Sequence, residues 1–446
     1  MRSDSEAAYA GPEGGGAQRI SEGGLFMRKG FSVLLALALS LLVALPAFAE
    51  DKVELQFVLW GTNEGLTSVF DLVDQYNASQ DGIHVTVNGV DPSVYFQKLN
   101  AFFSSGTAPD IIQVAADYGN EYTAKGVFAP LDAYLTDELK DEWAQSLLDA
   151  LKTDGVQYAI PIGVQVSFIA YNKALFDEAG LPYPTKDWTE AEFLDTVKKL
   201  TLPEKNQYGI LVSGSANETI RNMYGDYCYD WDTNKMTAAD NPSFKHAVEL
   251  FYNLFVTDKA TPAATSTKDI GGGFETGKYP MAIIHYWDIA SLSSTIGQSF
   301  DWDIVQFPVN EEYGVRWQSP LYVQAMSIAN TSEHKDEAFE FIRWWATNAA
   351  PQTSMADSFP ASTAIQNSAE YMASFPDGHP YDKQVVIDTI AEQGTAWWNC
   401  GIIAEINDNV IKPAIEKLLL QTEAVGVEET IETIQTKGQQ LFDMDF

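Results

Sequence analysis

Cysteine is almost absent: Cys228 and Cys400 are the only two in 446 residues. Two thiols cannot build a disulfide-stapled scaffold or a cysteine-rich metal site, and the sequence leaves open whether they pair or stay buried and free. Histidine is scarce as well. His84, His246, His285, His334 and His379 stand alone, without the His-x-x-x-His or paired-cysteine spacing that zinc needs, so no metal site is expected. Lys and Arg number only 27 against 62 Asp and Glu, a net charge of −35. Nucleic acid and anionic membrane surfaces are gripped by clustered cations, so neither is an expected partner. Gly271-Gly272-Gly273 lacks the Lys-Ser/Thr ending of a phosphate loop and reads as flexible punctuation. There is no Gly-x-Ser-x-Gly nucleophile elbow. No cofactor and no catalytic residue is therefore expected.

Long apolar runs are confined to one place. Arg28 and Lys29 precede Phe31 to Leu45, followed by Pro46 and the small-x-small tripeptide Ala47-Phe48-Ala49. A charged start, an apolar core and a small-residue cleavage site make residues 27–49 a secretory signal peptide. Its core of roughly fifteen residues is short of the twenty or so that span a bilayer, so cleavage after Ala49 is expected. Residues 1–26, rich in Gly, Ser, Ala and charge, read as a mis-called upstream extension. No lipid-anchoring cysteine follows the cleavage site, so a soluble periplasmic or extracellular product is expected. The remainder, about 400 residues, exceeds what one core usually supports and implies two domains. An apolar content of 46% and 12% aromatics suffice to fill their cores.

Val53–Trp60 alternates and then runs apolar, as a strand buried on both faces does. Leu66, Val69, Phe70, Val73 and Tyr76 fall at helical spacing, and Ile83, Val85 and Val87 alternate as a second strand, giving a βαβ unit. A helix carries Phe96, Leu99, Phe102 and Phe103, and a short strand follows at Asp110–Val114. Later strands are expected at Tyr158–Tyr171, Tyr208–Val212, Met281–Ile284 and Tyr322–Ile328. Helices are expected at Thr189–Leu200, Phe244–Phe255, Lys335–Ala346, Val385–Glu392, Asn407–Leu420 and Glu428–Leu441. Such alternation implies an α/β sheet with helices on both faces, and ligands of such sheets bind at the carboxyl ends of the strands. Trp60 to Glu64 and Ala115 to Tyr118 lie there.

Several phrases then resemble one family. Gly106-Thr107-Ala108-Pro109-Asp110-Ile111-Ile112 leads to Asp117; Tyr158-Ala159-Ile160-Pro161-Ile162-Gly163-Val164-Gln165 continues to Tyr171–Phe176; Phe274–Trp287 and His334–Ile342 follow, with the late pair Trp397-Trp398. In their order and spacing these resemble the sugar-binding proteins of ABC importers, the maltose-binding protein group in particular. The resemblance implies a two-lobe periplasmic-binding-protein fold with a hinged interlobe cleft. It also implies a ligand-binding acid at Asp117, a polar ligand contact at Gln165 and a sugar-stacking ring at Trp287. The chain departs from the pattern at Ser319-Pro320-Leu321, where glycines are common, and at Gln165, an amide where maltose binders carry an acid.

A pyranose presents a face of C–H groups and a belt of hydroxyls, so its receptor needs flat aromatic walls and a few fixed polar groups. Trp60, Trp287, Trp397 and Trp398 are candidate walls; Glu64, Asp117 and Gln165 are candidate hydrogen-bonding groups. Trp317 and Tyr322 flank the second crossover and either line the cleft or pack the hinge. Each has a structural alternative: a core indole for a Trp, a solvated acid for Asp117, N-terminal helix charge for Glu64. The expected lobes are 50–164 with 323–365 and 165–322 with 366–446, crossing near Gln165, Tyr322 and Ser362. The expected function is that of a monomeric substrate-binding component which captures a mono- or oligosaccharide and delivers it to the permease subunits of an ABC importer. A peptide, polyamine or other cation as ligand, or a secreted glycosidase with paired carboxylates, are the competing readings.

Overall fold

The strand β1 (Val53–Trp60) buries Leu55, Phe57, Val58 and Leu59, because it has a partner on each side and a helical layer over it. This computed structural model describes residues 52–62, 66–212, 216–225, 227–230, 233–263, 267–355, 358–373, 383–396 and 401–444. The expected extension and signal peptide, Glu64, Trp397, Trp398 and Cys400 lie outside the described residues.

After β1 come α1 (Thr67–Ser79), β2 (Ile83–Val90), α2 (Tyr95–Ser105), β3 (Ile111–Ala115) and α3 (Ala116–Ala124). Of the expected stripe, Val69, Val73 and Tyr76 are buried in α1, Leu72 joins them, and Phe70 is half-buried. Gly106, at φ 68°, closes α2 in the left-handed conformation that a side chain would strain. The chain continues through β4 (Ile160–Gln165) and β5 (Ser167–Asn172), one expected strand divided at Val166. Next come α4 (Glu190–Leu200), α5 (Ala216–Asn222), α6 (Pro242–Tyr252), β6 (Met281–His285), α7 (Asp288–Ile296), β7 (Trp302–Val305) and the long β8 (Ser319–Ile328). The last elements are α8 (Lys335–Thr347), β9 (Phe359–Pro360), α9 (Lys383–Gln393), β10 (Gly394–Ala396), α10 (Lys412–Leu420) and α11 (Val427–Met444).

Two principal sheets result. The first runs β9-β4-β8-β3-β1-β2, with β10 paired to the start of β8. In it β1 is parallel to β2 and β3, whereas β8 runs antiparallel to β3 and β4. The second has β5 at its centre, antiparallel to β6 and β7.

The two sheets serve two cores. Phe57, Val58, Ile112, Val164 and Ala325 pack with Phe341, Ile342 and Trp345 of α8 in the first. Phe193, Phe244, Phe251, Trp317, Ile415 and Ile434 belong to the second. Along β5 the residues alternate between them: Phe168 and Ala170 join the first core, Ile169 and Tyr171 the second. A period of two, buried on both faces, is why this strand reads as an unbroken apolar run.

One expected strand is not formed. Tyr208–Val212 makes a single parallel bridge, Leu211 to Ala282. Its neighbouring donors go elsewhere: the Ile210 N–H to the Ala260 carbonyl and the Val212 N–H to the Thr261 hydroxyl. Ile210, Leu211 and Val212 are buried all the same, so the apolar run marks burial and not a ladder. Among the described residues no helix is long and apolar enough to cross a membrane.

Candidate functional site

Strand direction gathers the site. β1, β3 and β4 point the same way, so Trp60, Ala115 and Gln165 end at one edge of the first sheet, where the antiparallel β8 begins. Register fixes the neighbours there: Tyr322 faces Gln165, and Gln324 lies between Gly163 and Ala115. Tyr322 is the only residue of β8 that is not buried, and Trp60, Ala115 and His285 likewise emerge at the ends of otherwise buried runs.

Behind this edge lies a polar support. The Trp60 N–H donates to Gln113 Oε1 at 3.3 Å, and Gln113 Nε2 donates to Gln324 Oε1 at 3.4 Å, both long bonds. The Tyr95 hydroxyl donates to the Gln113 carbonyl at 2.7 Å, and its ring meets the Trp60 indole edge-on at 5.3 Å. The Tyr95 ring thus braces the Trp60 indole, while the Gln113 amide holds the Trp60 main chain.

The chain leaves the first sheet for the second between Gln165 and Ser167, and that step is tied down from two sides. The Ser167 N–H donates to the Ser319 hydroxyl at 2.7 Å, and the Tyr286 N–H to the Val166 carbonyl at 2.9 Å. Because Ser167 pairs with His285, the end of β6 is brought beside Gln165 and Tyr322.

There a charged pair carries an aromatic stack. The His285 ring lies on the Trp287 indole with centroids 4.1 Å apart and planes 8° from parallel, and Tyr322 meets the indole at 5.2 Å and 67°. His285 Nε2 is 3.1 Å from Glu218 Oε1 of α5, and its Nδ1 is 3.5 Å from Asp288 Oδ2. The side chains of His285 and Glu218 are 12% and 22% exposed. Burial works against the His285 cation, yet the Glu218 and Asp288 carboxylates outweigh it and push the imidazole up to about 9. Burial would also raise the Glu218 carboxyl; the His285 charge, hydrogen bonds from His285 and Tyr322, and Arg221 hold it below its usual value. Both partners are charged at neutral pH.

Residues 62–351 match the family described as bacterial extracellular solute-binding protein, about two-thirds of the chain. The chain belongs to this family. Among its relatives, this solute-binding protein is 24% identical to the maltotriose-binding protein of Pyrococcus abyssi over 257 residues, 56% of this chain and 53% of the relative. It is 26% identical to the mannitol-binding protein of Pseudomonas aeruginosa over 363 residues, 75% and 79% of the two chains. The chain spans about half the length of the first of these and of putative binding proteins from Brucella abortus and Brucella suis. Its fold matches the ABC substrate-binding protein of Listeria monocytogenes in complex with cycloalternan, with a TM-score of 0.72, 22% identity, 89% of this chain and 100% of that one. The architecture is therefore the α/β two-lobe fold with an interlobe cleft that the sequence led us to expect.

Within this solute-binding protein the candidate residues divide. Trp287, Tyr322 and Gln165 come together, and Trp60 stands at the same sheet edge. Asp117 is the second residue of α3, directly after β3; its side chain is outside what the structure describes. Trp317 is a correction. It is 0% exposed in the second core, donates from Nε1 to Glu190 Oε2 at 2.6 Å and packs edge-on against Phe193, so it does not line the cleft. Sequence reasoning missed Glu218 and noted His285 only as an isolated histidine. The one available signal was that His285 ends an apolar strand two residues before Trp287.

Proposed function

We propose that this protein captures a carbohydrate, a mono- or oligosaccharide, between its two lobes and delivers it chemically unchanged to the permease subunits of an ABC importer. The observation that carries this reading is the Trp287 indole, two residues past the end of β6, set against Tyr322, the cross-strand partner of Gln165, with one face covered by His285. Its opposite face offers a flat wall for the C–H side of a sugar ring, while Gln165 and Asp117 supply hydroxyl partners. The maltotriose- and mannitol-binding relatives support a polyhydroxylated ligand. A cationic ligand is less suited, because Glu218 already faces the cation of His285.

The proposed lobes are 50–164 with 323–365 and 165–322 with 366–446. The break between β4 and β5 at Val166 supports the first crossing. A ligand that touches both lobes only when they close shifts the open–closed balance by its preference for the closed form. The chain would reach the periplasm or exterior as a monomer through a cleaved signal at 27–49.

Thermal stabilisation against maltotriose, mannitol, other carbohydrates, peptides and polyamines tests the ligand class, since ligand at a hundred times its Kd adds about 2.7 kcal/mol. A carbohydrate should stabilise the protein, and Trp287→Ala should weaken its binding by about tenfold or more, as loss of an aromatic stack does, without unfolding the chain. Stabilisation by polyamines alone, or turnover of a glycoside, would contradict the proposal.

A further inference from the structure

His285 has a carboxylate at each ring nitrogen. Glu218 Oε1 is 3.1 Å from Nε2 and Asp288 Oδ2 is 3.5 Å from Nδ1; the same Asp288 oxygen accepts the His285 backbone N–H at 2.9 Å. A neutral imidazole has one nitrogen that only accepts, and that nitrogen would face a carboxylate lone pair. An imidazolium donates from both. The arrangement therefore selects the cation, which lies flat on Trp287 with centroids 4.1 Å apart. A cation on the face of an indole is attracted by the ring quadrupole, most strongly where water is largely excluded. The charged and titratable groups around the ring are Glu218 from α5, Asp288 from α7 and Tyr322 from β8, and Arg221 of α5 acts on Glu218.

We infer that His285, held as an imidazolium between Glu218 and Asp288, is a positioning residue that fixes the Trp287 indole in the plane receiving the ligand, so that affinity falls when His285 gives up its proton. The inference rests on the reading above that Trp287 touches the carbohydrate. Asp288 pins the ring from its own helix turn and Glu218 from a different segment, so the orientation of Trp287 depends on α5 as well as on β6. The side-chain ion pair joins residues 67 positions apart.

Two readouts test it. In the ligand-free protein, titrating intrinsic fluorescence between about pH 6 and 10.5 should show a transition from loss of the quenching imidazolium. It should centre near pH 9 in the wild type. His285→Gln and Trp287→Phe should abolish it, and Glu218→Gln should move it to lower pH. With maltotriose as probe, calorimetry should show His285→Gln weakening binding about tenfold at pH 7.5 and removing the alkaline loss of affinity seen in the wild type. A wild type without the fluorescence transition, or a transition that survives in Trp287→Phe, overturns the inference. So does His285→Gln or Glu218→Gln binding maltotriose as the wild type does while Trp287→Ala is impaired. Unimpaired binding by Trp287→Ala instead sinks the ligand reading on which the inference rests.

Discussion

Replacing Glu190 by Gln removes a charge from the second core and leaves its volume. Glu190 begins α4 and is 7% exposed. Its Oε2 accepts from the Tyr224 hydroxyl and from Trp317 Nε1, each at 2.6 Å, and its Oε1 lies 2.8 Å from His246 Nε2. Burial alone would raise this carboxyl, but His246, Tyr224, Asn310 and Trp317 together press it down from 4.5 to about 2. At 1.36 kcal/mol per pH unit, that displacement corresponds to about 3 kcal/mol of stability. The carboxyl is the stronger acid in the folded state. The unfolded chain therefore takes up the proton first as pH falls, and the contribution is complete above about pH 5 and lost toward pH 2. Urea unfolding of wild type and Glu190→Gln across this range should show a deficit of about 3 kcal/mol at pH 7 that shrinks to about 1 kcal/mol at pH 3. A deficit that stays constant with pH, or one below about 0.5 kcal/mol at pH 7, would refute the assignment of this charge as a net stabiliser.

Two further outcomes follow from packing. A methyl group at Gly209 would press on the Val197 carbonyl and the Thr201 hydroxyl, so Gly209→Ala should cost about 1–3 kcal/mol in urea unfolding; an unchanged midpoint would show that the segment yields. Cys228 is a buried free thiol whose ionisation burial pushes up to about 12, so in a Cys400→Ser background a thiol reagent at about pH 8 should label it only after unfolding. Prompt labelling of the native protein would contradict that burial.

The βαβ start and the terminal helices were legible because each carries its own pattern: alternation in β2, a repeat of about 3.6 in α1. Tyr208–Val212 was misread because a short buried apolar run looks the same whether or not its N–H groups join a ladder. Trp317 was ambiguous for a different reason. An indole near a crossover suits a cleft or a core equally, and its deciding partner, Glu190, lies 127 residues away. His285 and Glu218 were invisible as a pair because nothing local links a strand end to a helix 67 residues earlier. Gln165, Trp287 and Tyr322 could be singled out only through resemblance; strand register is what brings them together.

Where the ligand sits decides the role of Trp287, and a crystal structure of the protein with a carbohydrate that stabilises it would show this. A sugar ring should lie on the Trp287 face opposite His285, within hydrogen-bond reach of Gln165 and in contact with both lobes. Electron density for the sugar away from Trp287, with the indole packed against protein on both faces, would contradict it.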